Sequence, residues 1–175
     1  MTNGGDSEVS RGVEPGAKRT RLVFVDCEAF GGCPALGRMT ELGAVLFPLE
    51  PLRSHRIDLR PWARLGEELY RAESRAAFEA LDTWLRAEVP GQPVMVSDNP
   101  AFDWQWVNDG FLVGIGRNPF GHSARRIGDF YAGLRRDFRK TQEWKRRRVT
   151  RHTHDPVDDA TGNAEAFARI LGGEL

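Results

Sequence analysis

The stretch Arg21-Leu-Val-Phe-Val-Asp26-Cys-Glu28 constrains the fold more than any other part of the chain. Its β-branched and aromatic residues form a short apolar run ending in acidic and small residues, the pattern of a buried strand over 21–26. Side chains two apart on a strand share a face, so Asp26 and Glu28 point one way and Cys27 the other. Two carboxylates aimed together at a strand end repel each other unless a cation lies between them. An isolated D-x-E also fits a solvated turn. The buried strand before it favours the first reading, because α/β sheets commonly deliver active-site groups at the carboxyl ends of their strands.

A buried strand requires a core, and 175 residues supply one for a single domain rather than two. With 40% hydrophobic and 29% charged residues, a disordered or collagen-like chain is excluded. No apolar run approaches the ~18 residues of a membrane span, and the opening MTNGGDSEVSRG lacks the apolar core of a signal peptide, so a cytoplasmic protein is expected. Cys27 and Cys33 give no disulfide framework and fit a reduced compartment. Residues 1–20, rich in Gly, Ser and charge, read as a flexible leader, and 21–175 as the folded domain.

Further strands are expected over 40–47, 54–59 and 93–97, the first three joined by short connections that favour an antiparallel meander. Between Gly66 and Val89 the residues Leu69, Ala72, Ala76, Ala77, Ala80, Leu81, Trp84 and Leu85 recur at helical spacing until Pro90-Gly91 stops the pattern. Helices are also expected after Asn99 through Asp109, over 123–136 and over 156–171. The order βββαβααα describes an α/β fold with a mixed sheet.

Two further clusters carry acids. Asp103 follows the 93–97 strand in Asn99-Pro-Ala-Phe102-Asp103, where it could serve as a helix cap or first-turn residue, with Asp98 competing for the cap. His154-Asp-Pro-Val-Asp158-Asp159 marks a helix start through Pro156, with His154 on the preceding loop and Asp159 in the first turn. Asp158 would point about 100° away from Asp159 around that helix. A zinc site from Cys27, Cys33, His152 and His154 is a further alternative, against which stands the opposite orientation of Cys27.

Together, D-x-E at Asp26 and Glu28, N-x-x-F-D at Asn99 to Asp103 and H-x4-D at His154 to Asp159 resemble the DEDDh family of 3′-to-5′ exonucleases, which includes RNase T, oligoribonuclease and proofreading subunits. The run Thr40-Glu-Leu-Gly-Ala-Val45 is similar to that family's second strand. The resemblance spans about residues 21–172 and implies an RNase H-like mixed sheet, its first three strands antiparallel and the rest parallel, flanked by helices. It implies two Mg²⁺ ions, with Mn²⁺ as a substitute, held by Asp26, Glu28, Asp103 and Asp159. It further implies His154 as general base and nucleoside 5′-monophosphates as products. His152 lies nearby, but five residues beyond it stands Val157, so only His154 meets the spacing.

The resemblance makes single-stranded nucleic acid the expected partner, RNA ahead of DNA, and a homodimer the expected assembly, while the lack of a long apolar run makes membrane association unexpected. Alternatives are a DNA exonuclease and a catalytically silent nucleic-acid-binding module. Phe30, Asn99 and Phe102 are candidate substrate contacts. Although Lys+Arg equals Asp+Glu at 25 each, the stretch 135–151 holds nine basic residues against two acidic ones. Lys145, Arg146, Arg147 and Arg148, with Phe138 and Trp144 interleaved, read either as a solvated loop or as an edge that follows substrate phosphates.

Overall fold

The computed structural model describes residues 22–175, so the expected leader at 1–20 lies outside the described residues. Five strands, β1 (Leu22–Phe30), β2 (Arg38–Leu46), β3 (Ser54–Asp58), β4 (Val94–Ser97) and β5 (Ala124–Arg126), form one sheet in the order β3-β2-β1-β4-β5. The first three pair antiparallel, and β4 and β5 continue parallel to β1. Helices α1 (Glu67–Glu88), α2 (Pro100–Ile115), α3 (Ile127–Arg135) and α4 (Pro156–Leu171) complete the RNase H-like α/β architecture, with 3₁₀ turns at Phe138–Lys140 and Glu143–Arg147. Among the described residues no helix is long and apolar enough to cross a membrane.

Strand alternation divides the core between the two faces of the sheet. Val23, Val25 and Cys27 of β1 pack with Leu42, Ala44 and Leu46 of β2 against α1 and α2. Phe24, Val45 and Val96 face the other way, against Ile127 and Tyr131 of α3, Trp144, and Ala160 and Ala164 of α4. Asp26 and Glu28 of β1, in step with Phe24, belong to this second face.

Five sequence expectations change, one being that α2 continues past the expected end at Asp109 to Ile115 and stops at the left-handed Gly116. β1 runs on to Phe30, so Asp26 and Glu28 lie within the strand; pairing with β2 persists past the apolar run. The short β5 has two arginines in three residues and pairs only along β4, which leaves no strand-like pattern to read. It takes the start of the expected 123–136 helix. The buried face of α1 runs through Tyr70, Ser74, Phe78, Leu81 and Leu85, whereas Leu69 is exposed. Its alanines obscure the stripe because they read as apolar on every side.

Candidate active site

Asp26 and Glu28 leave β1 on the side of α4. One oxygen of each lies within 4.8 Å of the other and of an Asp159 oxygen. The close seating of α4 follows from a single small residue. Gly43 of β2 stands opposite Asp26, and a Cβ there would lie 2.3 Å from the carbonyl carbon and oxygen of Pro156. Without a side chain at Gly43, the first turn of α4 rests directly on the sheet. Just beyond Asp26 the β1–β2 register slips between Glu28 and Ala29, a bulge of the kind that re-aims side chains beside functional sites.

The start of α4 is fixed by Asp155, whose side chain accepts from the backbone N–H groups of Val157 at 3.0 Å and Asp158 at 3.2 Å. Arg56 of β3 donates to the same carboxylate and holds its pKa below the usual carboxylate value. One turn on, Asp159 is buried and accepts from the N–H of Thr153 at 3.0 Å and of His154 at 3.1 Å. These bonds wrap the 152–154 loop over the carboxylate and hold His154 at φ 61°, in the left-handed region. Asp158 is exposed and faces Thr153.

Asp103 reaches the site from α2, on the opposite face of the sheet. It is buried, and its carboxylate accepts from the Cys27 N–H at 3.1 Å and from the Ser97 hydroxyl. It does not cap α2. Asn99 occupies the cap position without a side-chain bond, and Asp98 instead pairs with Lys145 at 2.6 Å.

Burial raises the pKa of Asp26 to about 8, with further contributions from Asp103, Asp159 and Glu28 and an opposing one from Arg148. Burial likewise pushes Asp103 up to about 7 against the lowering effect of its hydrogen bonds. Such a desolvated, oxygen-only donor set fits a hard divalent cation, whose charge removes the repulsion. Cys27 is buried against α1 and α2, its thiol raised by burial and then by the neighbouring carboxylates. Neither cysteine belongs to a group of potential ligands among the described residues.

His154 Nδ1 lies 3.3 Å from Glu28 Oε1. His152, set aside by its spacing, also reaches the site: its Nδ1 lies 2.7 Å from Asp159 Oδ2, and the two imidazole centroids are 4.4 Å apart. Only the turn of the loop brings it there, and no linear spacing reports such a turn. Ser97 carries no sequence signal for a similar reason, since it ends β4 without belonging to a motif.

The remaining candidates separate. Phe30 is 48% exposed at the end of β1, and Asn99 is exposed, while Phe102 packs edge-on to Trp106. Arg148 is largely enclosed, donating to Asn163 and lying 5.2 Å over the ring of Trp144. Arg147 donates to the Glu174 carbonyl, and Arg146 is exposed. Trp144 is fully buried and therefore belongs to the core rather than to a stacking surface.

No protein-family model matches the chain. It is 28% identical over 170 residues, 85% of its own length and 90% of the relative's, to the 3′-5′ DNA exonuclease Cap18 of Escherichia coli. Its fold is similar to the nuclease domain of 3′hExo, a DEDDh family member bound to rAMP, with TM-score 0.64 and 15% identity over 88% of this chain and 92% of that one. It is also similar to E. coli exonuclease I in complex with single-stranded DNA, with TM-score 0.59 and 17% identity, covering 89% of this chain and 41% of that protein. The similarity to a protein named as a 3′-5′ DNA exonuclease runs over most of both chains, and the fold is similar to that of a DEDDh nuclease domain.

Proposed function

We propose that the chain removes nucleoside 5′-monophosphates one at a time from the 3′ end of a single strand, in a reaction that depends on two divalent cations, Mg²⁺ or in its place Mn²⁺. The observation that carries this reading is the convergence of Asp26, Glu28 and Asp159 within 4.8 Å of one another. Asp26, Glu28 and Asp159, with Asp103 beside them, would hold the ions. Bound there, such ions supply activation of water and stabilisation of charge on the phosphate. His154 takes the proton from the attacking water. With Nδ1 protonated toward the Glu28 carboxylate 3.3 Å away, the Nε2 lone pair is left to accept. The Cys27 N–H and the Ser97 hydroxyl hold the Asp103 carboxylate still. Phe30, exposed at the rim, offers a ring to the terminal base.

Similarity to a protein named as a DNA exonuclease favours single-stranded DNA as substrate, a reversal of the RNA preference drawn from sequence. RNA is the second reading, supported by the rAMP held by the 3′hExo nuclease domain. The test is degradation of 5′-labelled DNA and RNA oligomers side by side with Mg²⁺, Mn²⁺ or EDTA. A ladder shortening from the 3′ end, abolished by EDTA and faster on DNA, is expected. Internal cleavage, or no cleavage of either polymer, would overturn the assignment.

A further inference from the structure

One group in the site has no part in the proposed hydrolysis: the His152 imidazole, 2.7 Å from Asp159, its ring centroid 4.4 Å from that of His154 with the two planes tilted by 58°. Two groups of His, Cys, Asp and Glu among the described residues are close enough to hold an ion, and they share Asp159. One is all carboxylate. The other, His152, His154 and Asp159, offers two imidazole nitrogens and an oxygen. We propose that this second group is an inhibitory site for a transition-metal ion of the Zn²⁺ class.

The donor chemistry separates the two groups. Mg²⁺ prefers oxygen ligands and retained waters, whereas Zn²⁺ takes imidazole nitrogen with carboxylate oxygen in a four-coordinate shell. The three donor atoms lie within 4.8 Å of one another, and rotation of the rings has to bring them to the spacing of about 3.4 Å that ligands at Zn²⁺ bond lengths require. The backbone is already set, because the Thr153 and His154 N–H groups tie the loop to Asp159. Only the two exposed rings need to turn, their side chains being 52% and 74% accessible. Inhibition follows from the shared groups and rests on the proposed hydrolytic reading. An ion held there occupies a His154 nitrogen and draws an Asp159 oxygen away from the carboxylate centre.

The experiment has two arms. In the first, metal-free protein without nucleic acid is titrated with ZnCl₂ by calorimetry and with Co²⁺ by visible absorption, for wild type, His152→Gln and His154→Gln, with circular dichroism confirming the fold. Wild type is expected to bind Zn²⁺ and give a nitrogen-ligated Co²⁺ spectrum, each substitution weakening Zn²⁺ by about tenfold or more while Mg²⁺ binding is unaffected. Equal Zn²⁺ affinity in wild type and His152→Gln overturns the site. In the second, Zn²⁺ is added to the Mg²⁺-supported exonuclease assay, each variant normalised to its own zinc-free rate. The inhibition midpoint should move to higher Zn²⁺ in His152→Gln by about the factor found in the first arm, and an unmoved midpoint overturns the inhibitory role. A protein with no nuclease activity would refute the proposed hydrolysis, while the binding arm would still decide whether the zinc site exists.

Discussion

Burial and three neighbouring carboxylates hold Asp26 at about 8, so the metal-free fold carries an acid that resists ionisation at neutral pH. Replacing it with a neutral amide of the same size removes that cost together with a cation ligand. Asp26→Asn should therefore abolish turnover and raise the melting temperature in EDTA, by about 2–4 °C for each kcal/mol recovered. A thermal scan and the oligomer assay check both halves, and normal turnover would refute the site. The histidines make a second contrast. His154→Ala is expected to lower the single-turnover rate by about 10²–10⁴ with Mg²⁺ affinity nearly intact, and His152→Ala to do less. A larger loss from His152→Ala would move the proton acceptor to the wrong ring for this reading. The convergence of Asp26, Glu28 and Asp159 is legible in the sequence because each sits at a fixed interval in a motif. His152 and Ser97 reach the site through folded backbone, which intervals do not encode, and Trp144 stands among arginines although it packs inside.

At the scale of elements, the contact between β2 and α4 decides whether the acids meet. Gly43 faces Asp26 in register, and the Pro156 carbonyl lies where its Cβ would stand. Gly43→Ala should force the first turn of α4 off the sheet, at a cost of about 1–3 kcal/mol for overpacking. Asp159 moves with that turn. Mg²⁺ titration followed by a thermal scan should show lower stability and a weakened response to the ion, and an unaltered response would mean that α4 is not seated through this glycine. The glycine was visible in sequence only as part of the Thr40–Val45 run, with no sign of what packs over it. Long elements with strong patterns were legible, such as α1 and α4. The end of β1, the bulge after Glu28 and the three-residue β5 were not, because partner strands define them rather than their own residues.

For the molecule as a whole, zero net charge conceals both an acidic centre and a basic stretch. The acidic centre sets a pH dependence. Asp26 and Asp103 are raised from 3.8 to about 8 and about 7. Unfolded chains release those protons near pH 4, whereas the metal-free fold retains them, so folding takes up protons and stability falls as pH rises between about 4 and 8. Melting temperatures in EDTA should decline across that window and Mg²⁺ should flatten the decline, while equal slopes with and without the ion would count against binding at these acids. The basic stretch behaves differently because its cations are not equivalent. Lys145 is paired with Asp98, Arg147 holds the Glu174 carbonyl and Arg148 is enclosed beside Trp144 and Asn163, so replacing them would disturb the fold as well as the charge. Arg146 and Arg151 are exposed and have no ion-pair partner among the described residues. If these two follow substrate phosphates, each contributes about 0.7 to the slope of log affinity against log salt for a single strand, and Arg146→Ala with Arg151→Ala should flatten it by about 1.4. Binding of a long oligomer measured in Ca²⁺ at several salt concentrations reads that slope, since Ca²⁺ fills oxygen sites. Cleavage of a dinucleotide, which barely leaves the carboxylate centre, should be unchanged by the same pair. A solvated loop predicts one slope for both proteins, and that result would reduce the stretch to surface charge.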